Sequence, residues 1–347
     1  MRIGVIADDF TGASDIAGFL VAGGMKTIMY NGIPIEQPPS HIDAMVISLK
    51  IRSCPAEEAV EQALQSLQFL KAQGCTKYYY KYCSTFDSTR EGTIGPVVDA
   101  LMEDLKTDLT IICPSLPING RTVCHGYLFV GHDLLSDSSM RHHPLTPMTD
   151  AKLSRLMKGQ FSGTTGHVYY PTIAQGAAAV GEELQKISQA GHRYAVVDTL
   201  NDEDLTIIAE ATEDMILVTG GSGLAIGIMA VQQRHTPRAL TEGAAFIPIS
   251  GPGVVISGSC SKRTNEQVDY YKEKAASRKI EEGPALSDSV AYAKELAQWV
   301  LQNLESKYAP MIYATKSPEE LEKSRKQYGD ANVAAAIEEV IGLVVEL

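Results

Sequence analysis

The sequence lacks the features that mark several large protein classes. It contains no run of about 18 apolar residues, so no membrane-spanning helix is predicted. The formal net charge is -12 over 347 residues, which argues against nucleic acid as a main partner because phosphate binding needs a basic surface. The first residues enter an apolar strand pattern with no basic leader and no cleavage site, which favours a cytoplasmic protein.

The cysteine pattern and the absence of several known motifs exclude further classes of protein. The six cysteines are scattered and form no C-x-x-C pair, which predicts reduced thiols and neither a disulfide framework nor a zinc site. The sequence contains no P-loop, no zinc-protease H-E-x-x-H and no G-x-S-x-G nucleophile elbow. The glycine run that ends at Gly227 does not have the spacing of the dinucleotide fingerprint.

What the sequence does contain is an alternation of short apolar runs and helical patterns. The helical patterns lie at 14–23, 55–73, 93–105 and 174–190. Seven apolar runs predict strands at 2–7, 43–49, 77–82, 109–113, 166–170, 194–198 and 215–219. Strands alternating with helices predict an α/β fold with a mainly parallel sheet that is buried on both faces.

The segment 228–252 interrupts this alternation and is rich in proline and glycine. We therefore predict a linker there, between a first domain at 1–245 and a second at 253–347. In the second domain helices are predicted at 262–274, 287–305, 317–328 and 331–347, with strands beginning at Val254 and at Met311. Two strands are too few for a stable sheet, so we expect part of this domain to be absent or a partner surface to complete it.

Polar clusters follow the predicted strands, at the edge where ligands bind in open α/β folds. Asp8 and Asp9 end the first strand, where paired carboxylates can orient a hydroxyl, take its proton or hold a metal ion. The simpler alternative is that Asp9 or Thr11 only caps the following helix. Lys50 and Arg52 follow the second strand and can clamp a carboxylate, unless they belong to a solvated loop.

Later loops add further candidate residues. A dense group of hydroxyl and charged side chains suits a polyol or sugar acid; it comprises Lys81, Ser84, Thr85, Asp87 and Ser88. The Asn119-Gly120 turn should project Arg121 toward an anion, and His142 is a candidate for a substrate hydrogen bond. The loop between the strand at 254 and the next helix could hold a nucleotide phosphate or ribose; its residues are Ser257, Gly258, Ser259 and Ser261.

Taken together, seven ordered stretches resemble the four-carbon acid sugar kinase family. They cover residues 3 to 268 in order. The stretches are IGVIADDFTGASDIAGFL (3–20), VISLKIRSCP (46–55), KYCSTFDST (81–89), INGRTVCHGYLFV (118–130), MRHHPLTPMTD (140–150), VTGGSGLAIG (218–227) and VISGSCSKRTNEQV (255–268).

This resemblance implies a sugar-acid domain followed by an ATP domain, with the reaction in the cleft between them. It implies transfer of the γ-phosphoryl group of ATP, with Mg²⁺, to the C4 hydroxyl of a 3-oxo-tetronate. Lys50, Arg52 and Arg121 would bind the carboxylate and the phosphoryl group. Asp8 or Asp9 would act on the hydroxyl, and Ser257 and Ser259 would contact ATP. The metal ligands, the substrate stereochemistry and the oligomeric state, a homo-oligomer included, stay open.

The sequence departs from the family in one respect. Family members continue into a glycine-rich G-G-E-T-S-G stretch soon after the position of Leu347. We therefore expect this 347-residue form to bind substrate but to turn ATP over weakly or not at all. The sequence is also compatible with two other functions. One is a non-catalytic sugar-acid-binding protein, and the other is an aldolase or dehydratase that uses Lys81 and needs no ATP.

Overall fold

The structure, a computed structural model, divides into two compact units, Met1–Phe246 (unit 1) and Ile247–Leu347 (unit 2). The residues it describes are 2–35, 38–142, 146–235, 251–305 and 307–347, with the backbone alone for residues 142, 325, 330 and 331. Within these ranges no helix is both long enough and apolar enough to span a membrane.

Unit 1 is built on an α/β alternation, as the sequence predicts. Its helices are α1 (Phe10–Ala22), α2 (Ala56–Ala72), α3 (Ile94–Leu105), α4 (Leu153–Met157), α5 (Tyr170–Ile173), α6 (Ala177–Gln189), α7 (Asp202–Ala211) and α8 (Gly223–His235). Its strands are β1 (Ile3–Ala7), β2 (Thr27–Asn31), β3 (Ala44–Ser48), β4 (Lys77–Lys81), β5 (Thr110–Cys113), β6 (Arg121–Cys124), β7 (Tyr127–Val130), β8 (Asp133–Leu134), β9 (Thr165–Val168), β10 (Tyr194–Val197) and β11 (Leu217–Gly220).

Eight of these strands form one parallel sheet in the order β2-β3-β1-β4-β11-β5-β10-β9. Alternate side chains of each strand enter two separate cores, one on each face; Ile6 and Tyr80 lie on one face, and Val5 and Tyr79 on the other. This double burial explains why the strands read as continuous apolar runs. All seven predicted strands are confirmed, whereas β2 and the small antiparallel sheet β6-β7-β8 were not predicted.

Unit 2 contains a smaller parallel sheet in the order β12-β14-β13. The strands are β12 (Val255–Ser257), β13 (Ser277–Lys279) and β14 (Met311–Tyr313). The helices are α9 (Lys262–Lys272), α10 (Glu282–Ser287), α11 (Ser289–Gln302), α12 (Pro318–Tyr328) and α13 (Asp330–Glu346). The prediction of two strands is wrong, because the half-buried strand β13 has the polar sequence Ser-Arg-Lys and gives no apolar signal.

Two predicted boundaries also need correction. The helix predicted to begin at residue 14 begins at Phe10, because Asp9 caps it there and brings Thr11 into its first turn. The linker predicted at 228–252 is helical as far as His235, since α8 continues to pack on α1 and α7. Residues 236–250 of that linker lie outside the described part of the chain, and residues 251–253 form no helix or strand.

The glycine run around α8 serves close backbone packing. A Cβ atom on Gly227 would collide with the carbonyl oxygen of Leu205 in α7, and one on Gly223 would collide with that of Ser115. Gly220 and Gly221 face the carbonyl oxygens of Cys113 and Pro114 in the same way. Gly220, Gly221 and Gly223 let the start of α8 approach the carboxyl end of β5, and Gly227 lets α8 approach α7.

We expect Gly227→Ala to destabilise unit 1 by about 1–3 kcal/mol, because the added methyl group meets backbone that cannot rotate away. The matched control is Gly181→Ala in α6, where a Cβ atom meets nothing within 4 Å. That change should be neutral or stabilise by up to about 1 kcal/mol, since alanine favours a helix over glycine. Urea unfolding followed by circular dichroism measures both, and equal effects would contradict the packing explanation.

Candidate functional site

A cavity of about 390 Å³ opens at the carboxyl edge of the large sheet in unit 1. The strand register explains its position, because Ala7 aligns with Ser48 on one side and with Lys81 on the other. The side chains that follow β1, β3, β4 and β5 therefore converge. Seven predicted site residues line the cavity together: Asp9, Thr11, Arg52, Lys81, Ser84, Asn119 and Arg121.

Arg52 is held at the cavity by two carboxylates. Its Nε and Nη2 donate to the two oxygens of Asp8, each at 2.9 Å, and its Nη1 lies 3.0 Å from Asp9 Oδ2. Burial raises the pKa of Asp8, which is 1% exposed, and the Arg52 guanidinium opposes that rise. Burial lowers the pKa of Arg52, but the charge and hydrogen bonds of Asp8, together with the charge of Asp9, outweigh it and the pKa is raised. The pair thus fixes a permanent cation at the edge of the sheet.

Asp9 combines a structural contact with a place in the cavity. Its Oδ1 accepts a hydrogen bond from the backbone N–H of Gly12 at 2.7 Å, so it does cap α1. Because Oδ2 also faces Arg52, capping is not its sole contact. A Cβ atom on Gly12 would lie 2.6 Å from Asp9 Oδ1 and 2.9 Å from Lys81 Nζ, so a side chain at this position would displace both groups.

Lys81 and Arg121 bring two further cations to the cavity. Lys81 is 3% exposed, and its Nζ donates to the carbonyl oxygen of Tyr82 at 2.7 Å. Arg121 opens β6 immediately after Gly120, which has a left-handed φ of 71°. One of its Nη atoms donates to the carbonyl oxygen of Asn119, while its buried Nε has no hydrogen-bond partner among the described residues. That N–H is a donor for which the described protein supplies no acceptor.

The β6–β7 hairpin that carries Arg121 is anchored at its other end. Asp198, directly after β10, accepts hydrogen bonds from the backbone N–H groups of His125 at 2.7 Å and Gly126 at 2.8 Å. It also accepts one from Tyr170 at 2.9 Å. Asp198 is 1% exposed, so these contacts are shielded from water. They fix the hairpin, and with it the start of β6, against the main sheet.

Five other predicted residues of unit 1 do not line the cavity: Asp8, Lys50, Thr85, Asp87 and Ser88. Lys50 is exposed, and Thr85, Asp87 and Ser88 are buried in the loop after β4. Thr85 contacts the Cys83 thiol at 2.9 Å, and Ser88 donates to the side chain of Gln160 at 3.1 Å, so both support the loop. The side chain of His142 lies outside the described part of the structure.

Sequence reasoning missed several residues of the cavity: Gly12, Ser14, Asp15, Cys83, Leu116 and Ser222. Helix phase could have found Asp15, because it lies four residues after Thr11 and therefore on the same face of α1. Cys83 lies in the polar loop after β4. Burial raises the pKa of its thiol to about 11, so the thiol stays protonated near neutral pH and is a poor nucleophile.

Unit 2 contains a cavity of similar volume, about 420 Å³, between α10, α11 and α13. Among the described residues that line it, the charged ones are two acids, Asp288 and Glu339, and none is a lysine or an arginine. Such a lining does not suit an anionic ligand. The cations at the unit 1 cavity therefore make that cavity the better candidate for a sugar acid.

The predicted nucleotide loop of unit 2 lies between β12 and α9, as expected. Ser257 bonds to Thr315 at 2.7 Å, and Ser261 caps α9 by accepting from the N–H of Thr264 at 3.1 Å. Gly258 and Ser259 are exposed. A Cβ atom on Gly258 would meet nothing within 4 Å, so there is open space over the loop. An exposed loop at a helix start can accept a phosphate group.

Among the described residues, no three His, Cys, Asp or Glu side chains lie close enough together to hold a metal ion. Mg²⁺ is commonly bound through one or two carboxylates together with substrate phosphates.

Comparisons with known proteins agree with the division into two units. Residues 3–228 match a family model described as a sugar-binding N-terminal domain, and residues 254–347 match one described as a nucleotide-binding C-terminal domain. A 3-oxo-tetronate kinase of Salmonella typhimurium is 50% identical over 347 residues, covering 99% of this chain and 82% of the relative. One from Escherichia coli K12 is 50% identical over 341 residues, covering 97% of this chain and 87% of the relative.

Solved structures show the same similarity. A crystal structure of a protein from Salmonella typhimurium LT2 has a TM-score of 0.84 and 50% identity, covering 99% of this chain and 81% of that one. The Haemophilus influenzae protein HI1011 has a TM-score of 0.74 and 49% identity, covering 99% of this chain and 82% of that one.

Proposed function

Because this chain belongs to the family of 3-oxo-tetronate kinases, we propose that it transfers the γ-phosphoryl group of ATP to the C4 hydroxyl of a 3-oxo-tetronate. The product is the 4-phosphate of that four-carbon acid. The relatives favour neither a non-catalytic binding protein nor an ATP-independent aldolase or dehydratase.

The observation that carries this proposal is the convergence of Arg52, Lys81 and Arg121 on one cavity. A sugar acid brings a carboxylate to that cavity and the reaction adds a phosphoryl group, so both ends of the product are anionic. Phosphoryl transfer depends mainly on positioning and on neutralising charge. Fixed cations can both position the substrate and neutralise its charge. Arg52 is such a cation, because Asp8 and Asp9 hold its guanidinium in one orientation.

The remaining cavity residues are assigned to the hydroxyl groups of the substrate. Thr11, Ser84 and Asn119 offer hydroxyl and amide groups that can donate or accept hydrogen bonds. Asp8 acts through Arg52 and is a positioning residue, since both its oxygens are engaged there. Lys50 and His142, together with Thr85, Asp87 and Ser88, are not needed for this assignment.

We assign ATP to unit 2, which is the nucleotide-binding domain by family match. The proposed contacts are made by Ser257, Gly258, Ser259 and Ser261, with Mg²⁺ bound through the ATP phosphates. In this proposal residues 1–245 bind the sugar acid and residues 253–347 bind the nucleotide.

The test is ADP release from Mg·ATP in the presence of a panel of four-carbon sugar acids, with the Salmonella relative assayed in parallel. Release that depends on a sugar acid would support the proposal. Binding without release would favour the sugar-acid-binding protein. Consumption of the sugar acid without ATP would favour the aldolase or dehydratase.

A further inference from the structure

Asp15 is an acid of the unit 1 cavity to which no role has been assigned. It lies on α1, one turn after Thr11, so its side chain and that of Thr11 face the same way. In the described part of the chain it makes no ion pair with a lysine or an arginine. Its single hydrogen bond there is the one that its Oδ2 accepts from the hydroxyl of Ser222.

The two other acids at this edge are engaged differently. Both oxygens of Asp8 bind Arg52, and Asp8 does not line the cavity. Asp9 faces Arg52 with one oxygen and caps α1 with the other. A carboxylate that neutralises a guanidinium is a weaker proton acceptor than one without a cation beside it. Of the three acids, only Asp15 keeps an oxygen, Oδ1, that neither accepts a hydrogen bond from a described residue nor forms an ion pair with one.

The structure also holds Asp15 in a defined orientation. Ser222 is 1% exposed and directly precedes α8, so its hydroxyl is fixed by packing. The Tyr79 hydroxyl donates to the carbonyl oxygen of Gly221, which secures the peptide in front of Ser222. One oxygen of the Asp15 carboxylate is thereby tied to rigid structure. The other is left for a ligand in the cavity, which is the geometry that a general base needs.

We propose that Asp15 is the catalytic base of phosphoryl transfer and accepts the proton of the C4 hydroxyl through Oδ1. This inference rests on the proposed function. The C4 oxygen forms a bond to the γ-phosphorus of ATP, and the bond from that phosphorus to the β,γ-bridging oxygen breaks. ADP leaves with the electron pair of that bond. The proton moves to Asp15, and from there to water after the product leaves.

The first measurement is turnover of Asp15→Asn, which is isosteric with the native side chain but cannot accept the proton. We expect kcat to fall by about 100-fold or more, while the Kd for erythronate changes by less than about threefold. Glu182→Gln on the exposed surface of α6 is the matched control for the loss of one charge, and it should leave both values unchanged. Turnover of Asp15→Asn at the native rate would overturn the inference while the kinase assignment stands.

The second measurement needs no turnover. Erythronate and its 4-deoxy analogue, 2,3-dihydroxybutanoate, differ only in the C4 hydroxyl. We expect the native chain to bind erythronate about tenfold or more tightly than the analogue, because a hydrogen bond to a carboxylate is lost. Asp15→Ala should reduce this preference to less than about threefold, and alanine suits the helix.

The two measurements separate the inference from the function on which it rests. If the native chain releases no ADP with any sugar acid, the proposed function fails and with it the role as base. The preference of Asp15→Ala still decides whether Asp15 contacts the C4 hydroxyl. A native-like preference in Asp15→Ala, with an unchanged melting temperature, would overturn the contact and the inference together.

Discussion

Replacing Arg52 with methionine is expected to destabilise unit 1 by about 3–5 kcal/mol and to abolish sugar-acid binding. Asp8 is 1% exposed and has both its oxygens bound to Arg52, so the substitution leaves a buried charge without a partner. The only tryptophan, Trp299, lies in unit 2, so its fluorescence does not follow unit 1. Hydrogen exchange of the β1 and β3 amides measures the stability of unit 1. The fluorescence of Trp299 serves as an internal control, because it reports on unit 2, which the substitution should leave unchanged.

The loss of stability should also depend on pH. Burial raises the pKa of Asp8, and without Arg52 nothing of comparable strength opposes that rise. The folded variant then binds a proton more tightly than the unfolded chain does. Its stability therefore increases as the pH falls from the raised pKa toward the ordinary value of an aspartate. The difference between native chain and variant should be larger at pH 8 than at pH 5.

The control for this prediction is the double variant Asp8→Asn/Arg52→Met, which removes both charges. It should recover much of the lost stability and show little of the pH dependence, yet still fail to bind the sugar acid. If Arg52→Met alone were as stable as the native chain at pH 8, the ion pair would not have the structural role assigned to it.

The large sheet could be predicted because its strands carry their own signal. A strand covered on both faces is apolar along nearly its whole length, as in β1, β3 and β10, where every residue is buried and Ser48 is the one polar residue. The edge strand β2 escaped prediction because none of its residues is buried, and the apolar run in its sequence Thr-Ile-Met-Tyr-Asn is only three residues long. The hairpin β6–β7 is short and only partly buried, so it read as a loop.

The site residues that could be predicted from the sequence are those that follow the end of a predicted strand. Parallel strands bring their carboxyl ends to one edge, and this rule found Asp9, Arg52, Lys81 and Arg121 without a structure. It could not decide which way each loop residue points. Lys50 and Arg52 were therefore treated alike, although only Arg52 turns toward Asp8.

The cavity residues near the starts of α1 and α8 depend on where each helix begins and on how it packs. Asp15 faces the cavity because α1 begins at Phe10, four residues earlier than predicted. Ser222 reaches it because the neighbouring glycines allow a close approach of backbones. Glycine at a helix start has the same sequence pattern whether it faces a phosphate or another chain segment. For that reason the packing role of Gly220 and Gly227 could not be predicted from the sequence.

Replacing Arg121 with methionine is expected to weaken sugar-acid binding by about 100-fold, with a further loss in kcat. Its buried Nε has no acceptor among the described residues, so an anion in the cavity is the acceptor we assign to it. Charge-assisted hydrogen bonds from an arginine fork are stronger than neutral ones, and methionine retains only the apolar stem. Isothermal titration with erythronate and steady-state ADP release measure the two effects.

Arg121→Lys separates charge from geometry at the same position. Lysine keeps the positive charge but cannot present two parallel N–H donors, so we expect about tenfold weaker binding, between the native chain and Arg121→Met. The matched control is Arg234→Met, because Arg234 is an exposed arginine of α8 that pairs with Glu210 and does not line the cavity. If both Arg121 variants bound erythronate as the native chain does, the carboxylate would have to be held by Arg52 and Lys81. Arg121 would then act on the transferred phosphoryl group, and its loss would lower kcat alone.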